Sequence, residues 1–414
     1  MLRRFVSSAF ALALLHSHPV IAQSWRTLAP MPNSLFGVAA GAVDNTLYVL
    51  GGSSGVSPAT SVFAYDPGSG TWTTKAPMPV GRIGAAAAAV NGVLYAFGGT
   101  GDETGVEAYD PRTNTWSVKG RMQTPRVLGG AAAVNGVIYV IGGMNSTALL
   151  SSVERYDPST DTWTQKASMP TPRTMLGVGV IDGIIYAVGG FGGIGNELEA
   201  YDPASDTWTK KSAMPTARRE LTANVLNGEL YAIGGITDSF TSAVEAYNPT
   251  TNTWASKPVM PTVRSDIASA AANGAIYVFG GIDALGILST NEAFGNFTQT
   301  IVSIDIKPGS SPNTINLGSS GVVPVAILSS PTFDATQVDP ATIRLAASAV
   351  RLNGQSDKAS CNVRDVNRDG RPDLVCHVKT DQFAIQPGST SAVLTGRTFN
   401  GQDIQGVDSI QIVP

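Results

Sequence analysis

Apolar runs of a few residues, each closing on Gly-Gly, recur along the chain and are separated by polar turns. They read LYVLGG (47–52), LYAFGG (94–99), IYVIGG (138–143), IYAVGG (185–190), LYAIGG (230–235) and IYVFGG (276–281). From Gly51 through Gly98, Gly142, Gly189 and Gly234 to Gly280 the steps are 47, 44, 47, 45 and 46 residues. Runs this short suit strands, and no helical periodicity lies between them. A repeat of this length built from strands predicts an all-β, six-bladed propeller with one four-stranded blade per copy.

Each copy offers four strand signals in a fixed order. A stretch of very small residues comes first, such as 84–90 (GAAAAAV) or 129–134 (GGAAAV). Alanine and glycine are poor strand formers, so their use here needs a steric reason. Innermost strands converge on a central channel, where larger side chains would collide. An Asn-Gly or Asp-Gly pair follows at Asn91, Asn135, Asp182, Asn227 and Asn273, with Asp44-Asn45 in the first copy. Such pairs supply the positive φ angles of a type I′ hairpin. The Gly-Gly run is the second strand, and the third ends in Tyr-Asp-Pro or Tyr-Asn-Pro, a turn signal. Trp72, Trp116, Trp163, Trp208 and Trp254 open the fourth. All 6 tryptophans and all 11 tyrosines fall on repeated positions, which assigns them to packing.

Gly-Gly, Tyr-Asp-Pro, Trp and Met-Pro-x-x-Arg in this order resemble the kelch-repeat family from about Ser24 to Phe297. That family hosts many unrelated functions. Trp25 matches the fourth-strand tryptophans but precedes the first copy, and the sixth copy ends at 291–297 without a complete fourth-strand segment. The N-terminal strand is therefore expected to close blade six, in preference to residues 297–299. Met-Pro-x-x-Arg places Arg82, Arg126, Arg173, Arg218 and Arg264 in the connections to successive inner strands, with Leu35 breaking the series. In kelch adaptors that bind acidic peptides, arginines at these positions contact carboxylates. The resemblance thus implies five guanidinium groups at one mouth of the channel and an anionic ligand. The competing reading is that they bond carbonyls and maintain the repeat. Glu107, Glu154, Glu199, Glu245 and Glu292 recur in register and read as structural, whereas Arg219, Glu220 and Asp266 follow the motif where its regularity breaks.

The first 22 residues look like a secretory signal peptide: Arg3 and Arg4, an apolar core over 5–15, then Val20-Ile21-Ala22. Cleavage there takes the net charge from −4 to −6. No segment offers the roughly 20 apolar residues of a membrane span. An acidic balance without a basic stripe argues against nucleic acid. The chain divides into a leader (1–22), a propeller (23–298) and a C-terminal all-β domain (299–414), more sandwich than barrel, which lacks Tyr and Trp altogether. Its IDIKPGSSPNTINL and GVVPVAIL segments resemble a domain appended to many secreted bacterial proteins.

Within this domain Asp365, Asn367, Asp369 and Asp373 stand at positions 1, 3, 5 and 9 of a loop with Gly370 at 6. Arg371 would add its carbonyl. The pattern resembles the calcium loops of integrin-type repeats and dockerins, which implies a structural Ca2+ bound by hard oxygen donors. Position 12 is Cys376, where an EF-hand would carry Glu. Cys361 and Cys376, the chain's only cysteines, bracket the loop and are expected to form a disulfide. His377 neighbours Cys376, but adjacent strand residues face opposite ways, so zinc is disfavoured.

The mature propeller holds no histidine or cysteine. This excludes the copper chemistry of galactose oxidase-like kelch enzymes and any Ser-His-Asp or Cys-His nucleophile. Two functions remain. The preferred one is an exported, non-catalytic binding protein for a protein or glycan, because the loops after Gly-Gly are short. The alternative is a sugar mutarotase of the sialic acid type, with Glu220 as base and Arg218 or Arg264 holding the substrate carboxylate.

Overall fold

The computed structural model describes residues 23–297, 299–316, 321–352, 359–380, 383, 385, 388–399 and 402–413. The leader expected over 1–22 lies outside the described residues. The chain forms two compact units, one of which is Gln23–Asn296. Chain from Phe297 onward belongs to the other.

The first unit is a propeller of six four-stranded antiparallel blades. Blade 2 is representative: Ala86–Val90 lines the channel, followed outward by Val93–Phe97, Val106–Asp110 and Thr115–Val118. The inner strands of the other blades are Phe36–Val43, Gly130–Val134, Gly177–Ile181, Thr222–Leu226 and Ala268–Ala272. They neighbour one another in ring order, the first packing beside the last. Hairpin turns follow the expected chemistry. Asn91 and Gly92 have φ of 53° and 76°, and Asp44 and Asn45 adopt 48° and 63° in the divergent first copy.

Blade 6 is closed by the N-terminal strand. Gln23–Thr27 pairs antiparallel with Asn291–Asn296, placing Trp25 opposite Phe294. Closure removes the free sheet edges that invite aggregation.

Aromatic side chains form two circuits between blades. In the inner one, a second-strand tyrosine meets a third-strand ring of the next blade: Tyr48 with Tyr109, Tyr95 with Tyr156, Tyr139 with Tyr201, Tyr186 with Tyr247, Tyr231 with Phe294 and Tyr277 with Tyr65. Ring centroids lie 5.5–6.1 Å apart, within the range of favourable aromatic pairs. In the outer circuit each indole N–H donates to a carbonyl of the preceding blade. Trp72 reaches Ala29, Trp116 Ala76, Trp163 Gly120, Trp208 Ala167, Trp254 Ser212 and Trp25 Pro258, at 2.8–2.9 Å. The packing role read from the repeat therefore includes directional bonds.

The second unit is an all-β sandwich. One sheet orders Gln299–Ile301, Asp403–Ser409, Ser391–Thr398, Val338–Leu345 and Ser348–Ala349; the other orders Ile304–Ile306, Val322–Ile327, Asp373–Lys379 and Cys361–Arg364. Ile306, Val325 and Val378 from one and Ile343, Leu394 and Ile404 from the other share a single buried core.

Candidate functional site at the channel mouth

The repeated arginines are placed inside the blades, which corrects the expectation of a cationic mouth. Arg82, Arg126, Arg173, Arg218 and Arg264 are at most 2% exposed. Each pairs with the third-strand glutamate of its own blade: Arg82 with Glu107 at 3.2 Å, Arg126 with Glu154 at 2.7 Å, Arg173 with Glu199 at 2.8 Å, Arg218 with Glu245 at 2.5 Å and Arg264 with Glu292 at 2.9 Å. In four blades the same guanidinium donates to the first carbonyl of the Gly-Gly pair; in blade 5 Arg218 donates to Ala232 instead.

Blade 1 supplies an internal control. Where the arginine is replaced by Leu35, the glutamate position is occupied by Phe63, and both are buried. The pair is exchanged as a unit, as a tie is, and hydrophobic residues take the place of a buried ion pair at little cost. A ligand carboxylate has no route to these groups. The expected anionic ligand thus loses its contacts, and the mutarotase alternative loses Arg218 and Arg264.

What lines the channel at this end is the residue two positions after each motif position, in the turn into the inner strand. Gly37, Gly84, Leu128, Met175, Glu220 and Asp266 all adopt φ between 50° and 63°. Each N–H donates to the carbonyl of its counterpart in the preceding blade, at 2.7–3.2 Å, and Gly37 N–H to Asp266 O at 3.0 Å completes the circle. Left-handed backbone costs a non-glycine residue about 1–2 kcal/mol, so four of the six positions hold strain that the circle of bonds offsets. Their side chains, with Glu220 and Asp266 adjacent, line a funnel of about 100 Å3.

Below the funnel the channel wall is apolar, mostly Gly, Ala and Val with Leu176, Leu221 and Ile267 at its top, except at one seam. Blade 5 contributes Thr222 and Asn224, and blade 6 contributes Ser269, which bonds Thr222 at 2.7 Å and Asn224 at 3.4 Å. The equivalent positions of the other blades carry only Gly, Ala or Val. At the top of the seam Ser265 donates to Glu220 at 2.9 Å, and Arg219 approaches Glu220 at 3.7 Å with its side chain 41% exposed. Burial, and then the neighbouring Glu220, push the Asp266 carboxyl up to about 6. Beside the funnel, the loops of blades 4 and 5 bound a groove of about 360 Å3 with Phe191, Ile194, Arg219 and Asp238 on its walls.

Residues 37–235 and 84–281 match the family model described as the KLHDC2/KLHL20/DRC7 Kelch-repeats domain, together more than half of the sequence. The chain belongs to the kelch-repeat family. Among solved structures, one titled "Structure of YjhT" aligns with this kelch propeller at a TM-score of 0.57 and 18% identity, over 64% of this chain and 96% of that one. At that identity the likeness shows the fold alone. No curated protein matches the sequence.

Set against the regular kelch unit, Arg219, Glu220 and Asp266 are the sequence-singled residues that the structure brings together at the mouth. Thr222, Asn224, Ser265 and Ser269 were missed. The signal was present, since they are polar departures within strands of small residues, but it becomes a site only when blades 5 and 6 are seen side by side.

In the sandwich, the cysteines form the disulfide Cys361–Cys376 between paired strand positions. Asp365, Asn367 and Asp369 are exposed and accept main-chain N–H bonds from Asp369, Gly370 and Arg371 within their own loop. Asp373 is fully buried; its two oxygens accept from Ser329 and Val366 N–H. Arg371 extends its guanidinium to Asp369 at 3.3 Å. Among the described residues no three His, Cys, Asp or Glu side chains converge as a metal-binding group. A hard cation here would need Asn367 and the Arg371 carbonyl in its shell.

Proposed function

We propose that this kelch propeller is an exported binding protein that takes its protein or glycan ligand at the ring-turn mouth of the channel. The observation that carries the reading is the break in sixfold regularity. Polar side chains replace Gly, Ala and Val on the channel wall only where blades 5 and 6 meet, directly beneath Glu220 and Asp266. Thr222, Asn224 and Ser269 already bond one another across the seam, and hydroxyl and amide groups in a channel of small apolar residues keep further hydrogen-bonding capacity for a guest. The disulfide is compatible with an oxidising compartment, and among the described residues no helix is long and apolar enough to cross a membrane.

The experiment is a thermal-shift screen of the protein against sialic acid, uronates, neutral glycans and peptides. Hits are then repeated on Thr222→Val and Asn224→Ala. Stabilisation by a ligand that these substitutions abolish supports the mouth; hits indifferent to them place the site elsewhere. Anomer exchange by NMR on any sugar hit tests the mutarotase alternative, which keeps Glu220 but lacks its arginines.

For the loop of Asp365, Asn367, Asp369, Arg371 and Asp373 we propose structural calcium, because its donors are all hard oxygens at the spacing that wraps one ion. Added Ca2+ is expected to raise the melting temperature of the sandwich and EGTA to lower it. Asp369→Ala should remove the difference. A melting curve that ignores both additions refutes the site.

A further inference from the structure

The funnel is amphipathic in a way that selects one kind of guest. Leu128 and Met175 supply an apolar half-ring, Gly37 and Gly84 add backbone only, with the Ile83 and Leu128 side chains packed against them, and Glu220 and Asp266 stand together on the remaining side. Among the described residues the Asp266 carboxylate receives no hydrogen bond and no ion pair. Its neighbour Glu220 has Ser265 and, more distantly, Arg219. A lysine or arginine side chain meets these demands: its methylenes lie along apolar surface while the charged head reaches a carboxylate.

The surroundings indicate what carries that side chain. Phe191 and Ile194 of the blade 4 loop are 55% and 80% exposed, and Val56 and Leu285, in the corresponding loops of blades 1 and 6, are 91% and 96% exposed. These loops stand at the same end as the funnel. Phe191 pairs with Thr174, the residue before Met175, and Ile282 pairs with Ser265, the residue before Asp266. The exposed groups are mainly aliphatic, and every Trp and Tyr of the chain is committed to repeated packing positions. Exposed apolar residues gathered beside a cleft mark a protein-interaction surface.

Resting on the mouth as the binding site, we propose that the partner is a polypeptide that inserts a basic side chain between Glu220 and Asp266 and seats flanking apolar residues on Phe191 and Ile194. The acidic pair sets the sign of the partner's charge, opposite to that implied by the repeated arginines.

The test is selection of a phage-displayed peptide library on the whole protein, with synthetic peptides of the enriched sequences measured by calorimetry. The expected result is enrichment of peptides carrying Lys or Arg beside apolar residues. Their binding should weaken at least about tenfold in the double variant Glu220→Gln/Asp266→Asn and on replacing the basic residue by Met. It should weaken again in Phe191→Ser, and it should fall with added salt. The variants' melting curves check that they fold. Peptides without a basic residue that still depend on Thr222 and Asn224 would overturn this inference and leave the mouth as the site. Selection of nothing that responds to any mouth substitution would overturn both.

Discussion

At the scale of single residues, the arginine–glutamate pairs and the Asp266 carboxyl make opposite demands. Removing one partner of a buried pair leaves an uncompensated charge, so Arg173→Ala should cost about 3–5 kcal/mol in urea denaturation. The double change Arg173→Leu/Glu199→Phe, which copies blade 1, should recover most of that loss. Asp266 works the other way. Its pKa rises from 3.8 to about 6 on folding, so between those values the folded state binds the proton more tightly. Stability from this group is present at low pH and is lost as pH rises through about 6. Denaturant midpoints of the wild type should therefore gain relative to Asp266→Asn on going from pH 7 to pH 4.5. Parallel pH profiles would show that Asp266 ionises as it does in the unfolded chain. The arginines and glutamates were each visible in the sequence as periodic residues, yet their pairing was not. Both residue types suit either a surface or a tie, and the spacing from motif to third strand varies between 25 and 28 residues. Their joint loss at Leu35 and Phe63 was the legible clue.

At the scale of elements, the strands and their turns followed directly from the sequence because local chemistry and global fold agree at nearly every step. Small residues face the axis, Asn-Gly closes the hairpins, and Trp opens the outer strand. The left-handed turns at Leu128, Met175, Glu220 and Asp266 were not legible, since of these residues only aspartate is at home in that conformation. The inter-blade bonds impose it. Glycine at these positions removes strain, so Met175→Gly should leave the melting temperature unchanged or higher, unlike a glycine elsewhere in a strand. The N-terminal strand carries a sharper prediction. A chain beginning at Leu28 leaves Asn291–Asn296 as a bare edge and breaks the indole bond to Pro258. Such a chain is expected to self-associate more strongly than the full chain in size-exclusion chromatography.

At the scale of the whole molecule, two units with separate cores predict two unfolding transitions. Reduction of Cys361–Cys376 should lower only the sandwich transition, by about 3 kcal/mol for a loop of its length. One calorimetric peak that shifts as a whole on adding reductant would contradict this. The antiparallel seam has a mechanical corollary. Gln23 lies opposite Asn296, with the C-terminal unit following directly, so tension between the amino terminus and that unit peels the closing strand one pair at a time instead of shearing five at once. Pulled along its own chain, the torus opens at its suture, where the strand is held by blade 6 and by its bond to Pro258 beside it, before blades 1 to 4 bear load.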